Sequence, residues 1–397
     1  MSVFFLILGS IALLNAIWWG ASTYLSRGSR WRYLNLAFLV FQVGGLAWLI
    51  GGRITHSGWD RSLPKFVVTA LLTWHMMVLP VAITVLIVAL TVTLMVSSIR
   101  LIARGRRRRS DGPPSQEALT RRQFVGFAAG ALPTLLTFSL TGVALRQLND
   151  FRIRRLVIPI QGLPPDLHGM TIAQVSDMHV GRFTQGRVLR EVVNATNELK
   201  SDLVLLTGDL INDALADLDQ GLELVRNMNG RFGLYLIEGN HDLIENPREF
   251  ERRTRASGIP FLLDQSTVVT VRGTPVQLFG LSWTRVRQNR DAEISAAVDR
   301  LLTQSQPETF RILLAHHPHA FDAAASAGIP LTLAGHTHGG QLMLNERSGF
   351  GPAMFRYWSG LYQRDRSNLV VSNGVGNWFP LRVNAPAEII HVTLVRV

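Results

Sequence analysis

The sequence predicts a mixed α/β domain that is preceded by an α-helical transmembrane region. The first observation is a set of long, nearly uncharged apolar stretches within residues 1–145. The second is a change of pattern at Arg152, after which short β-rich runs alternate with helical and loop segments. The third is the charge distribution. Residues 1–122 hold 14 Lys and Arg against three acids, so +11 of the net charge of +12 lies there.

The remaining residues, 123–397, are almost neutral, with 26 basic and 25 acidic side chains. A nucleic-acid-binding domain carries a basic stripe on its folded surface, so we expect no nucleic-acid partner. The chain has no cysteine, which excludes disulfides, thiolate-bound zinc and a thiol nucleophile.

Four apolar stretches precede the polar domain: Val3–Gly20, Tyr33–Gly52, Phe66–Ile99 and Phe124–Leu145. About 20 apolar residues cross the ~30 Å hydrocarbon core, so the first, second and fourth stretches each fit one crossing. The third is too long for one straight span and too short for two. Pro80 near its middle predicts a kinked, tilted helix. A soluble helical domain is disfavoured because no polar face recurs at helical spacing.

The loop Arg100–Arg122 is short and rich in arginine, which predicts that it stays in the cytoplasm. Its end, TRRQF at residues 120–124, resembles a twin-arginine export signal, and an ordinary positively charged flank is the alternative. Under both interpretations, one crossing at 124–145 places the rest of the chain outside the cytoplasm. No small-residue cleavage site lies near Leu145, so we expect a retained anchor.

We therefore divide the chain into three parts: a transmembrane region of about three spans at 1–122, a fourth span and linker at 123–150, and a polar domain at 151–397. The predicted strands of that domain are Leu156–Ile160, Thr171–Ser176, Leu203–Leu206, Gly233–Ile237, Thr267–Val271, Val276–Leu281, Phe310–Ala315, Leu331–Ala334, Leu369–Ser372 and Ile389–Val395. The predicted helices are Val188–Leu199, Ala214–Asn227 and Asp291–Leu302.

Five short polar motifs each follow a predicted strand, the usual position of a site on an α/β sheet. They are SDMH at Ser176–His179, GDLIN at Gly208–Asn212, GNHD at Gly239–Asp242, HHP at His316–Pro318 and GHTHGGQ at Gly335–Gln341. Carboxylates, an amide oxygen and imidazoles without a thiolate suit Mn²⁺, Fe or Zn²⁺. One carboxylate can bridge two metals, and a pair ~3.5–4 Å apart can hold the attacking and leaving oxygens of a phosphoryl transfer. Each motif alone is a weak signal, but five in order, each at a strand end, predict a functional site that binds metal.

This ordered set of motifs resembles the calcineurin-like metallophosphoesterase family, and GHTHGGQ and GNHD are its most specific pieces. The resemblance covers about Val157 to Val397. The membrane anchor and the ending SNGVGNWFPLRVNAPAEIIHVTLV are most similar to a bacterial membrane-associated subgroup. The resemblance implies a four-layer α/β/β/α sandwich and a phosphoesterase activity.

The resemblance also implies seven metal-ligand positions and a catalytic histidine. They are Asp177, His179 and His338 for the first metal, Asn240, His316 and His336 for the second, Asp209 as the bridge, and His241 over the substrate. His241 would donate to the phosphoryl group and protonate the leaving oxygen. The implied nucleophile is a metal-bridging hydroxide. His316 and His317 are adjacent, and only the family pattern selects His316.

Asn212 stands where many relatives have an acid that pairs with the catalytic histidine. We expect its side chain to orient His241 by accepting a hydrogen bond, although it has no charge with which to hold a proton there. His241 would then act mainly as a hydrogen-bond donor, and substrates with good leaving groups would be favoured. Asp213 or Asp242 could supply the missing charge instead.

These observations predict a multi-pass membrane protein whose extracytoplasmic domain hydrolyses a phosphoester or pyrophosphate bond. Its position suggests a membrane- or envelope-associated substrate, such as a lipid-linked headgroup. One alternative is a hydrolase similar to UDP-2,3-diacylglucosamine pyrophosphatases, which would face the cytoplasm. A second is a non-enzymatic membrane sensor or scaffold, which the filled ligand positions disfavour.

Overall fold

The computed structural model describes residues 2–25, 30–55, 59–104, 116–283, 290–345 and 347–397. They form two compact units, Met1–Leu145 and Arg146–Val397. Residues 105–115 of the predicted arginine-rich loop, including Arg106–Arg109, lie outside the described residues, and the two ends of the loop belong to helices. The four predicted apolar stretches all lie within helices.

The helices of the first unit are α1 (Ser2–Leu25), α2 (Trp31–Ile54), α3 (Lys65–Thr73), α4 (Leu79–Arg104) and α5 (Gln116–Gln147, which ends just inside the second unit). Among the residues that the structure describes, three helical segments are long and apolar enough to cross a membrane. They are Trp31–Gly52, Lys65–Ile99 and Ala128–Gln147. The first predicted stretch, Val3–Gly20, is helical as part of α1 but is not one of these three.

The irregularity expected near Pro80 is a π-helical turn at Trp74–Val78, which joins α3 to α4. Proline has no N–H and crowds the carbonyl one turn earlier, and a wider turn relieves that conflict. The turn carries a buried aromatic side chain, Trp74, which packs edge-on against Trp18 and Phe38 with ring centroids 4.8 Å away in each case. Its indole Nε1 donates to Asn15 Oδ1 at 3.0 Å. The turn therefore supports the contacts that hold α1, α2 and the long third helical segment together.

The strands of the second unit are β1 (Arg152–Ile160), β2 (Thr171–Val175), β3 (Leu203–Thr207), β4 (Leu234–Ile237), β5 (Gln265–Val271), β6 (Thr274–Gly280), β7 (Phe310–Leu314), β8 (Leu331–Ala334), β9 (Met343–Asn345), β10 (Ser348–Gly349), β11 (Gly360–Arg364), β12 (Ser367–Val371) and β13 (Glu388–Arg396). Its further helices are α6 (Arg187–Glu198), α7 (Leu218–Arg226), α8 (Pro247–Ala256), α9 (Arg290–Leu302), α10 (Ala320–Ser326) and α11 (Phe350–Met354).

Strands β9 and β10 pair separately, and the other strands form two mixed sheets that pack face to face. One has the order β1-β13-β2-β3-β4, and the other has the order β11-β12-β8-β7-β6-β5. Apolar side chains of both inner faces, such as Ile172 and Leu205 against Leu278 and Ile312, form one buried cluster. Helices α6 and α7 cover the outer face of the first sheet, and α9 and α10 cover that of the second. The predicted four-layer α/β/β/α sandwich is confirmed.

All ten predicted strands are present, with ends that differ by a few residues. The structure adds elements that the sequence pattern does not reveal: β9, β10, β11, α8, α10 and α11. These are short or highly charged, so their hydrophobic periodicity is weak. The predicted helix at Ala214–Asn227 begins as a 3-10 turn, Leu215–Asp217, and continues as α7.

Asp202 ties the two sheets together at the edge where β2, β3 and β6 begin. Its buried carboxylate accepts hydrogen bonds from the main-chain N–H of Thr171 at 2.8 Å and from the Thr171 hydroxyl at 3.1 Å. Arg272, in the turn between β5 and β6, donates to the same Asp202 oxygen at 2.8 Å. One carboxylate therefore joins the first sheet to the second.

We predict that Asp202→Ala lowers the free energy of unfolding of this unit by about 2–4 kcal/mol, because Arg272 and the Thr171 N–H lose a buried acceptor. Thermal and denaturant unfolding of the full chain in detergent measure the effect. The control is Glu191→Ala, which breaks the exposed Arg187–Glu191 pair and should change stability by less than about 0.5 kcal/mol. Equal losses of unfolding free energy in the two variants would contradict the role of Asp202 in joining the sheets.

Candidate metal centre

The fold brings the five polar motifs to one edge of the sandwich. Strands β2, β3 and β4 run parallel in the first sheet, and β6, β7 and β8 run parallel in the second. Their carboxyl ends therefore meet at a shared edge. The two sheets are joined there by Gln174 of β2, whose amide donates to the Ala334 carbonyl at the end of β8 at 2.8 Å.

The first cluster contains Asp177, His179 and His338, all buried. The Nε2 atoms of the two histidines lie 3.0 Å apart. Asp177 Oδ1 lies 3.3 Å from His338 Nε2 and 3.9 Å from His179 Nε2. Three potential ligand atoms therefore lie within 3.9 Å of one another.

The second cluster shares an aspartate with the first. Asp209 Oδ2 lies 3.2 Å from His316 Nε2 and 3.6 Å from His179 Nε2, so one oxygen faces a histidine on each side. His316 Nδ1 contacts the Thr207 carbonyl at 2.6 Å, and as the donor there it leaves its Nε2 facing the carboxylates. That buried Nε2 makes no hydrogen bond.

Asn240 and His336 complete this side of the centre. Asn240 Oδ1 lies 2.7 Å from His336 Nδ1, and the His336 ring centroid lies 5.2 Å from that of His316. The main-chain N–H of His336 donates to the Asp177 carboxylate at 3.1 Å, which connects the two clusters. All seven predicted ligand positions are thus brought together at one edge.

The electrostatics of the centre favour a cation. Burial opposes protonation of His316, but the Asp209 and Asp177 carboxylates outweigh it and raise the pKa of His316 to about 10. Burial would raise the pKa of Asp209, yet His316 and His241 lower it below its usual value. Burial also lowers the pKa of His179 and of His338 well below the ordinary value, which keeps both imidazoles in the neutral form that ligates metals.

The backbone at the centre is held in an uncommon conformation. Five of the seven predicted ligand positions have positive φ angles between 45° and 74°: Asp177, His179, Asp209, His336 and His338. Such angles are rare outside glycine and cluster at functional sites. Glycines allow the turns to pack closely, because a Cβ on Gly239 would overlap the Asp209 carboxylate and one on Gly335 would overlap Ser176 and Asp177.

His241 lies at the solvent side of the centre and is half-buried. Its main-chain N–H donates to Asp209 Oδ1 at 2.8 Å, and its ring packs edge-on against His179 with centroids 4.5 Å apart. His179, Asp209 and His241 also lie close enough to form a third potential ligand group. Trp378, which is partly exposed, has its ring centroid 6.1 Å from that of His241.

The partner of His241 differs from the one expected. Its Nδ1 lies 2.6 Å from the main-chain carbonyl of Asn212, not from the Asn212 side chain, whose buried Oδ1 makes no hydrogen bond. The Asp242 carboxylate accepts from the main-chain N–H groups of Ile211 at 3.0 Å and Gly239 at 2.9 Å. Burial raises the pKa of Asp242 well above its ordinary value. Asp242 therefore holds two loops together and does not supply the charge that we considered for His241.

Two neighbouring histidines stand outside the clusters. His317 Nδ1 accepts from the main-chain N–H of His319 at 3.2 Å, and His319 Nδ1 lies 3.4 Å from the Asp291 carboxylate. The geometry thus favours His316 over His317 as the residue that faces Asp209.

Arg382 has a structural role that the sequence did not predict. It is buried, contacts His338 Nδ1 at 2.9 Å, and donates to the carbonyls of Asn373 at 2.7 Å and Gly376 at 2.5 Å. Its guanidinium therefore supports a loop and the orientation of His338, and is not displayed to a substrate. From the sequence, Arg382 lies in a stretch that could approach the site, where it would either contact phosphate or be a surface or carboxylate-paired arginine.

The residues present fit divalent metal ions. Two carboxylates, one amide oxygen and four imidazoles converge without a thiolate, a donor set that suits Mn²⁺, Fe or Zn²⁺. A buried histidine nitrogen without a hydrogen bond, held between two carboxylates, is typical of a ligand atom.

The chain is similar in sequence to known metallophosphoesterases. A family model described as calcineurin-like phosphoesterase matches residues 170–340. The uncharacterized metallophosphoesterase YkuE of Bacillus subtilis is 30% identical over 291 residues, which cover 70% of this chain and 98% of that protein. The phosphodiesterase YaeI of Escherichia coli is 27% identical over 227 residues, covering 56% of this chain and 80% of that protein.

A transmembrane protein with metallophosphoesterase domain from Danio rerio is 32% identical over 246 residues, which cover 60% of this chain and 56% of that protein. A solved structure of a phosphopantetheinyl hydrolase from Mycobacterium tuberculosis is 14% identical and superimposes with a TM-score of 0.36, covering 54% of this chain and 91% of that one. With all five motifs at one sheet edge and a relative matched over nearly its whole length, the chain belongs to the metal-dependent calcineurin-like metallophosphoesterase family.

Proposed function

We propose that the protein hydrolyses a phosphoester or pyrophosphate bond at a centre that holds two divalent metal ions. Asp177, His179 and His338 would hold the first ion, Asn240, His316 and His336 the second, and Asp209 would bridge them. The observation that carries this proposal is the position of Asp209 Oδ2, within 3.6 Å of His179 Nε2 and 3.2 Å of His316 Nε2.

When bound, such ions lower the pKa of a water toward neutrality and stabilise negative charge on phosphoryl oxygens. The chain's own residues hold the ions and the substrate in position. In the reaction, water adds to phosphorus, the P–O bond to the leaving group breaks, and the leaving oxygen takes a proton.

His241 is the proposed proton donor, since it is half-buried at the solvent side of the centre. With Nδ1–H directed to the Asn212 carbonyl at 2.6 Å, its Nε2 is free to face the substrate. A carbonyl orients the ring but carries no charge that would hold a second proton on it. In the neutral ring Nε2 carries a lone pair, so His241 can donate to a phosphoryl or leaving oxygen only as the imidazolium. Phosphodiesters and pyrophosphates with good leaving groups, which need little protonation, are therefore the preferred substrates.

A membrane- or envelope-associated substrate is the second part of the proposal. It is supported by the three described helical segments that could cross a membrane, and by a relative named as a transmembrane protein with a metallophosphoesterase domain. The arginine-rich stretch before α5, followed by a single crossing, supports an extracytoplasmic catalytic unit.

We predict that Asp209→Asn lowers turnover of an aryl phosphodiester by the purified full chain, assayed with Mn²⁺, by about 10³-fold or more. An amide cannot replace a bridging carboxylate, so metal content measured by mass spectrometry should fall as well. Asp365→Asn, in the exposed turn between β11 and β12, is the matched control and should keep both properties. Near-normal turnover and metal content in Asp209→Asn would refute the two-ion centre.

We predict that His241→Asn lowers kcat by about 10²–10⁴-fold, with the largest effect on poor leaving groups, because the proton donor is lost. Asn212→Ala keeps the main-chain carbonyl and should change kcat by less than about threefold, since its amide makes no hydrogen bond to His241. The measurement is kcat for a series of aryl phosphodiesters of graded leaving-group pKa. A large loss in Asn212→Ala would show that the side chain positions His241 after all.

We predict that an alkaline phosphatase fused to the C-terminus is active, and that a fluorescent protein requiring the cytoplasm, fused at the same position, is dark. The reason is the retention of the arginine-rich loop in the cytoplasm before a single crossing at 124–145. The reverse pattern would favour a cytoplasmic catalytic unit and the pyrophosphatase-like alternative.

A further inference from the structure

Three exposed apolar side chains lie on the segment formed by β9, β10 and α11, which we name the apolar finger (described residues 343–345 and 347–354). Leu344 is 82% exposed, Phe350 55% and Met354 65%. Phe350 and Met354 are four residues apart on α11, so they share one face of the helix. A cluster of large exposed apolar side chains marks an interaction surface.

The apolar finger borders the metal centre. Gly351 of α11 packs directly on Gly340, two residues after His338, in a contact so close that a Cβ on Gly340 would overlap it. The Phe355 ring, just after α11, lies 5.8 Å from the His336 ring. On the other side, Trp378 is 41% exposed beside His241. Apolar surface therefore flanks the opening of the centre.

The chain also enters the catalytic unit at this edge. β1 runs parallel to β13, and β13 runs antiparallel to β2, so β1 begins where β2 ends at the centre. Arg152 at the start of β1 donates to Glu388 at 2.8 Å. The Glu388 N–H donates to the Gly374 carbonyl at 3.0 Å, and Gly374 packs against Asp177.

The connection from the membrane-spanning segment to this edge is short. Gln147 ends α5 and Arg152 begins β1, so the chain between them can extend at most about 18 Å. A bilayer that holds the end of α5 is thus within reach of the edge that carries the metal centre and the apolar finger.

We propose that the apolar finger and Trp378 enter the headgroup–acyl boundary of the bilayer, and that the substrate is a phosphoester of a membrane lipid. Trp side chains favour this boundary, and the exposed Arg347 at the tip of the finger suits anionic headgroups. A lipid phosphate at headgroup depth would then face the opening beside His241. The lipid substrate rests on the proposed phosphoesterase function, whereas docking of the finger does not.

The docking is tested on the full chain, which has no cysteine and so accepts a single introduced label. Leu344→Cys and Val397→Cys are each labelled with an environment-sensitive dye and reconstituted into phosphatidylcholine–phosphatidylglycerol vesicles. Val397 is also exposed, at 69%, but follows β13 at the opposite edge of the sandwich. We expect a blue shift and quenching by nitroxide-labelled lipid at 344 and neither at 397.

A water-like spectrum at 344 would overturn the docking proposal. So would a blue shift that lipid nitroxides do not quench and that grows with protein density, since a second copy of the chain would then cover the finger.

The substrate class is tested with two aryl phosphodiesters that share a leaving group, one water-soluble and one carrying a long acyl chain and dispersed in the vesicles. The variant with Leu344→Ser, Phe350→Ser and Met354→Ser should lose about tenfold or more on the vesicle-borne diester and keep its turnover of the soluble one. Equal loss on both diesters, or no loss on either, would contradict the proposal. A wild-type chain inactive on both would refute the phosphoesterase function, while the label at 344 would still report on docking.

Discussion

The catalytic unit depends on the contacts of one buried carboxylate, that of Asp209. Its two oxygens receive the His241 N–H on one side and face His316 and His179 on the other, so the ends of β2, β3, β4 and β7 all meet at this group. A buried charge is costly unless it is paired. The surrounding turns therefore place positive partners around the Asp209 carboxylate. A divalent cation would neutralise this buried charge better than a proton on His316 does.

The main parts of this arrangement could be predicted from the sequence because they depend on strand ends. Each motif follows an apolar run, and parallel strands align their carboxyl ends, so the convergence of Asp177, Asp209 and His316 follows from topology. The residues alone could not show whether His316 or His317 faces Asp209, because a small change in the turn conformation would exchange the positions of the two side chains. The contact between His241 and the Asn212 main-chain carbonyl could not be predicted either, because every residue type has such a carbonyl.

The two edges of the sandwich have different tasks. At one edge, Asp202 joins the sheets because its Oδ2 atom accepts hydrogen bonds from fixed donors, Thr171 and Arg272. At the other, the carboxylates and imidazoles face one another with few fixed donors between them. Short, irregular elements such as β9 and α11 gather at this second edge, where hydrophobic periodicity is weakest. The elements that are hardest to predict from the sequence therefore lie around the candidate metal centre.

The positive φ angles at five ligand positions have a thermodynamic consequence. Each rare angle costs on the order of 1–3 kcal/mol, and it is the packing of the whole unit, including the glycines pressed against Asp177 and Asp209, that offsets it. The proposed ligands are therefore preorganised, so an ion would bind them with little loss of conformational entropy. By linkage, ions that bind only the folded state also stabilise it, so a chelator should act on this unit as a mild denaturant.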